Sequence, residues 1–239
     1  MIIGSKLYYL DEVSSTNEYA KSLLETAPDG TIVLADAQTA GTGRQGRKWY
    51  SPVGGIWMSV ILRTEKLSVI PIVAAVATCE TFITHDILLG IKWPNDMMLN
   101  RKKVAGILCE IVDKTVIMGI GLNLNIREFP KDLEGIATSI VIETKKNFDK
   151  MTVFQMLCKE IDYHYMMLKQ DQVPQLLTKW RHFTVMLGKK VVISLPDRKV
   201  NGRVLDISSD GGLVIMLPDN KIERILAGDC EMIDVQDTV

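Results

Sequence analysis

Lys-Val-Ala-Gly-Ile-Leu-Cys-Glu-Ile-Val-Asp-Lys-Thr-Val-Ile-Met-Gly-Ile-Gly-Leu-Asn-Leu-Asn, residues 103–125, decides the fold class. Two apolar, β-branched runs, Lys103 to Val112 and Val116 to Asn125, flank Asp113-Lys114. A tight turn allows only an antiparallel return, because parallel strands need a long crossover. Working outward, Asn100-Arg101-Lys102 reads as a second hairpin turn and Met97 to Leu99 as extended chain. Pro94 and Asn95 turn the chain after a strand over Leu88 to Trp93. Successive strands with short turns predict an α+β fold on a mixed, largely antiparallel sheet, not a doubly wound parallel one. Gly119 and Gly121 share one strand face, with Asn123 two residues on. Glycine weakens a strand unless something approaches closely there. A Rossmann fingerprint is excluded, since no third glycine follows and no helix opens. Lys103 is either a solvated edge charge or an ammonium aimed at the sheet face near Gly106.

Upstream, strands are expected at Lys6 to Leu10, Thr31 to Ala37 and Gly55 to Leu62. Ser15 with Glu18 forms a capping box, and Tyr19, Ala20, Leu23, Leu24 and Ala27 carry a helical apolar stripe. Ser15 and Thr16 either cap that helix or offer hydroxyls to a ligand. The second strand feeds Gln-Thr-Ala-Gly-Thr-Gly-Arg-Gln-Gly-Arg-Lys-Trp-Tyr-Ser-Pro, residues 38–52. Gly41, Gly43 and Gly46 let its backbone approach a ligand, and Arg44, Arg47 and Lys48 have no acidic neighbour in the loop. Such a loop suits a phosphate, with Trp49 covering an apolar or heterocyclic surface, or it is a basic surface turn.

Val69 to Thr84 reads as an internal helix, apolar on most faces, and Arg127 to Lys150 as a polar stretch. Thr152 is expected to cap a helix carrying Phe154, Leu157, Ile161 and Leu168, and Val173 to Phe183 forms another. The composition shifts at Met186-Leu187-Gly188. Beyond it, strands are predicted at Lys190–Ser194, Lys199–Ile207, Leu213–Leu217, Ile222–Leu226 and Glu231–Asp234, closing as a small SH3-like β-barrel. The expected domains are residues 1–186 and 187–239.

Composition narrows the function classes. A net charge of −1 over 239 residues argues against a chain built to coat nucleic acid or an anionic membrane, so the basic loop is a local feature. The apolar run Ile70 to Cys79 is too short to span a bilayer, and the N-terminus lacks a secretory pattern. Cys79, Cys109, Cys158 and Cys230, like His85, His164 and His182, lack metal-ligand spacing; reduced thiols in a cytoplasm are expected.

The loop Gly-Thr-Gly-Arg-Gln-Gly-Arg-Lys-Trp (41–49), Ser15-Thr16-Asn17 and Gln38 resemble the biotin protein ligases in order and spacing. So do Lys92-Trp93-Pro94-Asn95-Asp96, Lys103-Val-Ala-Gly106-Ile-Leu and Gly119-x-Gly121-x-Asn123. The resemblance covers nearly the whole chain, departing at Thr42, where many members carry arginine. It implies a class II synthetase-like catalytic core with the C-terminal barrel, and the monofunctional type without a winged helix-turn-helix ahead of the first strand. It further implies an acyl transfer in two steps, from biotin and MgATP through biotinyl-5′-adenylate to a lysine of a biotin carboxyl carrier protein. By that resemblance Lys103, Arg44 and Asp96 are catalytic, with Asp96 also a contact for Mg²⁺ or the carrier lysine. Ser15, Thr16, Asn17, Gln38, Gly41, Lys103 and Gly106 would bind biotin. Arg44, Arg47, Lys48, Trp49, Asn95, Gly119, Gly121 and Asn123 would bind ATP and the adenylate. The implied partner is the carrier protein, with a cytoplasmic location and neither nucleic acid nor membrane; relatives often form homodimers, and the sequence leaves the choice between monomer and homodimer open. A lipoate- or octanoate-transferring relative and a DNA-binding repressor or adaptor are the competing readings.

Overall fold

The computed structural model describes residues 1–233. In chain order the larger sheet and its helices are β1 (Leu7–Val13), α1 (Thr16–Ser22), β2 (Ile32–Gln38), β3 (Ile56–Arg63), α2 (Ile70–Glu80), β4 (Gly90–Lys92), β5 (Asp96–Leu99), β6 (Lys102–Val112) and β7 (Thr115–Leu122). Their order across the sheet is β1-β2-β3-β7-β6-β5-β4. Only β1 and β2 pair in parallel; the other neighbours are antiparallel, as the short turns require. Asn100 (φ +48°) and Arg101 (φ +66°) turn β5 into β6 with the left-handed backbone of a two-residue hairpin.

The sheet has two unlike faces. One carries Ile56, Met58, Val60, Met118, Ile120 and Leu122 into the main core, beneath α2. That helix is apolar all round because α4 (Lys150–Lys169) and α5 (Val173–Phe183) cover its other side. Leu67–His85 is long and apolar enough to cross a membrane, but here it is mostly buried among sheet and helices. The second face is covered only in part, by α1 and the turns after it, where Ala20 and Ala27 pack on Val33, Ile61 and Ile117. The uncovered remainder, at the β6–β7 end, is the site described below.

Three local expectations change. The first helix ends at Ser22, and its stripe continues to Ala27 through hydrogen-bonded turns before Pro28. The polar stretch hides α3 (Ile140–Thr144), a single short helix whose N-cap, Ser139, accepts from the Ile142 amide at 3.2 Å. The cap of α4 is Asp149, whose carboxylate accepts from the Thr152 amide at 2.7 Å.

The C-terminal strands β8 (Lys190–Ser194), β9 (Lys199–Ile207), β10 (Leu213–Met216), β11 (Ile222–Ile225) and β12 (Asp229–Met232) fall where five were expected, with β12 starting two residues before the predicted Glu231; Asp234 lies outside the described residues. Their closure does not match. The sheet runs β11-β10-β9-β8-β12 and stays open, with β11 and β12 at opposite edges and no ladder joining them, so the SH3-like barrel is corrected to an open five-stranded sheet. Closure needs the outer strands to meet with a matched stagger. Here both are four residues long, and the start of β12 is held by the basic loop instead. The inner side of this sheet, with Val191, Ile193, Ile207, Leu213 and Ile215, continues the main core, and α5 bridges α2, α4 and β9.

Trp180 of α5 is 2% exposed at that junction. Trp180→Ala should cost about 3–5 kcal/mol of unfolding free energy by urea titration; a cost below ~1 kcal/mol would show that α5 is not part of the shared core.

Candidate active site

Gly106 of β6 and Gly121 of β7 are register partners, so two backbones without side chains face each other across the ladder. The Trp49 indole lies on that floor. A Cβ on Gly121 would sit 2.3 Å from Trp49 Nε1, and one on Gly106 would sit 3.0 Å from Cζ3. The loop delivers the indole as a small hairpin: Thr42 bridges Lys48, the Gly43 amide donates to Arg47 O at 2.7 Å, and the Trp49 amide donates to Gly41 O at 2.8 Å. Gly46 at its tip takes φ +72°. The indole N–H is buried and has no partner among the described residues.

Lys103 reaches the same face through a bulge. Strict alternation back from Gly106 would point Lys103 into the core. The pairing of β5 with β6 shifts between Met97↔Ala105 and Met98↔Lys103, which leaves Val104 as the extra residue. Val104 turns inward, fully buried, and Lys103 turns outward. Re-aiming a side chain in this way is a recurring use of bulges beside functional sites. The Lys103 ammonium stands 4.9 Å from the Trp49 ring centroid and 2.5 Å from Asp96 Oδ1. It therefore already has a counter-ion and an aromatic face.

The residues expected to hold a polar head group form one network at the start of α1. Gln38 Oε1 accepts from the Thr16 amide at 2.8 Å and from the Thr16 hydroxyl at 3.1 Å, while Gln38 Nε2 donates to Ser51 Oγ at 2.9 Å. Asn17 donates to Glu110 Oε2 at 2.7 Å and accepts from the Ser59 hydroxyl at 2.5 Å. Its Oδ1 fills the space over Gly119, where a Cβ would come within 2.4 Å. Ser15 caps α1 at a long 3.5 Å, which leaves its hydroxyl loosely held at the cleft wall. Glu18 bonds to Lys21 rather than back to the cap, so only half the capping box forms. Ser51, Ser59 and Glu110 were not among the expected site residues. Ser59 alone had a signal in the sequence, a hydroxyl inside the apolar run Ile56–Leu62.

Arg44, Arg47 and Lys48 also line the cleft, yet the two arginines are engaged across the molecule. Arg47 Nη2 donates to both oxygens of Asp229, at 2.8 and 3.0 Å. Arg44 Nη1 donates to Gly228 O at 3.1 Å and lies 3.7 Å from Asp229 Oδ1 and 3.5 Å from Asn95 Oδ1. Burial lowers the Arg44 pKa, with Asp229 opposing it. Asn95 ties the turn to β6 by donating to Ile107 O at 2.8 Å. Asn123 donates to Thr138 O at 2.9 Å, and its buried Oδ1 has no partner among the described residues. Leu133, Ile136 and Ala137, from the stretch expected to be merely polar, complete an outer apolar wall.

The cleft measures about 410 Å³ and brings together every expected site residue except Gly41, which lies in the loop hairpin behind Trp49. It offers an orphaned donor on Trp49, an orphaned acceptor on Asn123, an ammonium and two guanidinium forks. That set suits an anionic, partly apolar ligand. Burial pushes Cys109, Cys158 and Cys230 up to about 12 and Cys79 still higher, so no thiolate nucleophile is at hand. Among the described residues, one His/Glu group has metal-like spacing, Glu80, Glu160 and His164, and it lies in the helical layer. There His164 Nε2 meets Glu80 Oε2 at 2.7 Å and Lys179 takes the other Glu80 oxygen at 2.6 Å, which makes it a tie between α2, α4 and α5.

Comparison with known proteins identifies this fold and cleft as a protein ligase core. The Biotin/lipoate A/B protein ligase family matches residues 9–126, and the biotin protein ligase C terminal domain matches residues 186–232. The bifunctional ligase/repressor BirA of Bacillus spizizenii is 36% identical over 97% of this chain and 75% of its own length. The biotin--[acetyl-CoA-carboxylase] ligase of Mycobacterium tuberculosis is 29% identical over 89% of this chain and 85% of its own. Among solved structures, the biotin protein ligase from Aquifex aeolicus in complex with biotin and ATP superposes with a TM-score of 0.87, at 33% identity, over 96% of this chain and 99% of that one. The chain belongs to the biotin protein ligase family.

Gly121→Ala tests the floor. The added methyl must lift Trp49, so we expect biotin affinity to fall at least tenfold by calorimetry, with an unfolding midpoint within a few degrees of wild type. Unchanged affinity would mean the indole does not shape the ligand site.

Proposed function

We propose that this cleft couples biotin to AMP and then delivers the biotinyl group to a lysine of a carrier protein. The enzyme is an ATP-dependent biotin protein ligase. The observation that carries the assignment of roles is Lys103, lifted by its bulge onto the glycine floor beside the arginine hairpin.

In the first step a carboxylate oxygen of biotin attacks the α-phosphorus of ATP, and the bond to the β-phosphate breaks, releasing pyrophosphate. Both reactants are anions, so fixed cations lower the barrier most. Lys103 is assigned to bridge the carboxylate and α-phosphate, with Asp96 holding the ammonium until ligand arrives. Arg44, Arg47 and Lys48 are assigned to the phosphates, with Asn95 and the Gly119–Gly121 backbone beside them. Trp49 covers the anhydride, and Asn123 Oδ1 is matched to an adenine amino donor. Ser15, Thr16, Asn17, Gln38, Gly41 and Gly106 surround the proposed biotin end. In the second step the carrier amine attacks the acyl carbon, AMP leaves and the amine loses a proton.

Magnesium fits as an ion carried by the nucleotide. No three ligating side chains of the His, Cys, Asp or Glu type converge in the cleft among the described residues, and Asp96 is free for an ion only once Lys103 turns to the ligand. Phosphate oxygens and water would supply most of its shell, with Asp96 as one ligand, and the ion would offset phosphate charge.

We assign residues 1–186 to catalysis and 187–239 to a second unit, take the carrier domain of a biotin-dependent carboxylase as the partner, and place the reaction in the cytoplasm. A second copy of the chain is the proposed assembly partner; a monomer at every concentration in the ultracentrifuge would dismiss it.

The deciding experiment is ATP-dependent transfer of labelled biotin to a carrier domain, with lipoate as competitor. Transfer of lipoate at a comparable rate would overturn the substrate assignment. Lys103→Ala should lower biotin-dependent pyrophosphate exchange by about 10²–10³-fold; exchange at the wild-type rate would remove Lys103 from the chemistry.

A further inference from the structure

The segment of residues 38–52 contains no acidic side chain, so the counter-ion for its arginines has to come from elsewhere. It comes from the far end of the chain. Asp229 opens β12, is held in place by pairing with Ser194 of β8, and presents both carboxylate oxygens to Arg47. Arg47 meets both oxygens through one nitrogen, Nη2, a charge-assisted contact of the kind a guanidinium also makes with the oxygens of a phosphate. Gly228 adds its carbonyl to Arg44, and a Cβ there would meet Ile193 Cγ2 at 2.6 Å, so no larger residue fits that approach. Asp229, Cys230 and Glu231 line the same cleft as Lys92 and Lys103.

We infer that Asp229 is a positioning residue that stands in for phosphate, clamping the basic hairpin while nucleotide is away and yielding its arginine to the triphosphate when nucleotide binds. This rests on the assignment of Arg44 and Arg47 to phosphates. The strength of the pair suits exchange. Arg47 is 59% exposed, so its bond to a single carboxylate is weak and screened, whereas a triphosphate brings several charges to the same donors. A clamp of this kind sets two quantities at once. It lowers nucleotide affinity by competition, and it keeps the hairpin folded with Trp49 seated on the glycine floor. The C-terminal sheet thereby acts on the first chemical step without contributing a reacting group.

The test uses the full chain with biotin present and α,β-methylene-ATP, which cannot release pyrophosphate. Asp229→Asn keeps the shape and removes the charge. It should bind the analogue about threefold to fivefold more tightly by calorimetry, and without ligand it should be cut faster by trypsin after Arg44 and Arg47. Asp229→Glu should restore wild-type behaviour in both assays, which a merely structural role would not do, and Asp229→Ser supplies a second neutral variant should the Asn form fold poorly. Analogue affinity equal to wild type, or unchanged trypsin cleavage, would overturn the clamp. Weaker binding would overturn it too, because it would mean that Asp229 stays on the arginines in the loaded state and supports them there. Wild-type protein that bound no analogue would instead reject the phosphate assignment beneath both.

Discussion

The site depends on a missing pair of side chains. Gly106 and Gly121 face each other across β6 and β7, and in the middle of a seven-stranded sheet that is a costly choice. The cost is offset by what the gap admits: an indole set against backbone, closer than any Cβ would allow. Everything else about the cleft is arranged around that contact. The hairpin must be long enough to carry Trp49 there, the bulge must bring Lys103 over its ring, and α1 must stop short so that the β6–β7 end of this face stays uncovered.

That geometry also settles the electrostatics. A lysine on a largely apolar floor would be expensive to hold without a partner. Asp96 provides one at 2.5 Å, and the aromatic face provides a second favourable surface. The two arginines of the hairpin are likewise met, by Asp229 and a main-chain carbonyl. Among the described residues, the indole N–H and Asn123 Oδ1 in the cleft have no partner, while Asp96 Oδ1 is met by the Lys103 ammonium. Buried groups of this kind each cost roughly 1–3 kcal/mol when unpaired. They are therefore places where an incoming ligand gains by supplying what the protein lacks.

Much of this was legible in the sequence, and the reasons are local. Short turns at Asp113-Lys114 and Asn100-Arg101 leave only an antiparallel return, so the sheet type followed from turn chemistry. Gly119 and Gly121 were a weak pointer to a close approach, because glycine lowers the stability of a strand interior unless something comes near it. What was not legible depends on partners distant in sequence. The face on which Lys103 stands follows from a register shift against β5, which alternation along β6 alone places on the wrong side. Glu110 and Ser51 are ordinary polar residues until Asn17 and Gln38 meet them. Counting strands found all five of the C-terminal sheet, but strand count carries no information on whether the first and last strands meet.

The failure of that sheet to close has a consequence for the cleft. In a closed barrel every edge is paired, and the start of β12 would be spent on its neighbour. In the open sheet β12 pairs on one side only, with β8, which leaves Gly228 and Asp229 free to face the catalytic unit. The core is continuous across the two parts, through Trp180 and the inner side of β8 to β10, so this edge is held at a fixed place rather than on a tether. A carboxylate fixed in that way can act as a measured competitor for the hairpin arginines, which a mobile surface acid, screened and averaged over many positions, cannot do. The open edge is thus what lets a segment some 180 residues downstream of Arg44 sit in the wall of a site otherwise built from residues 15–137.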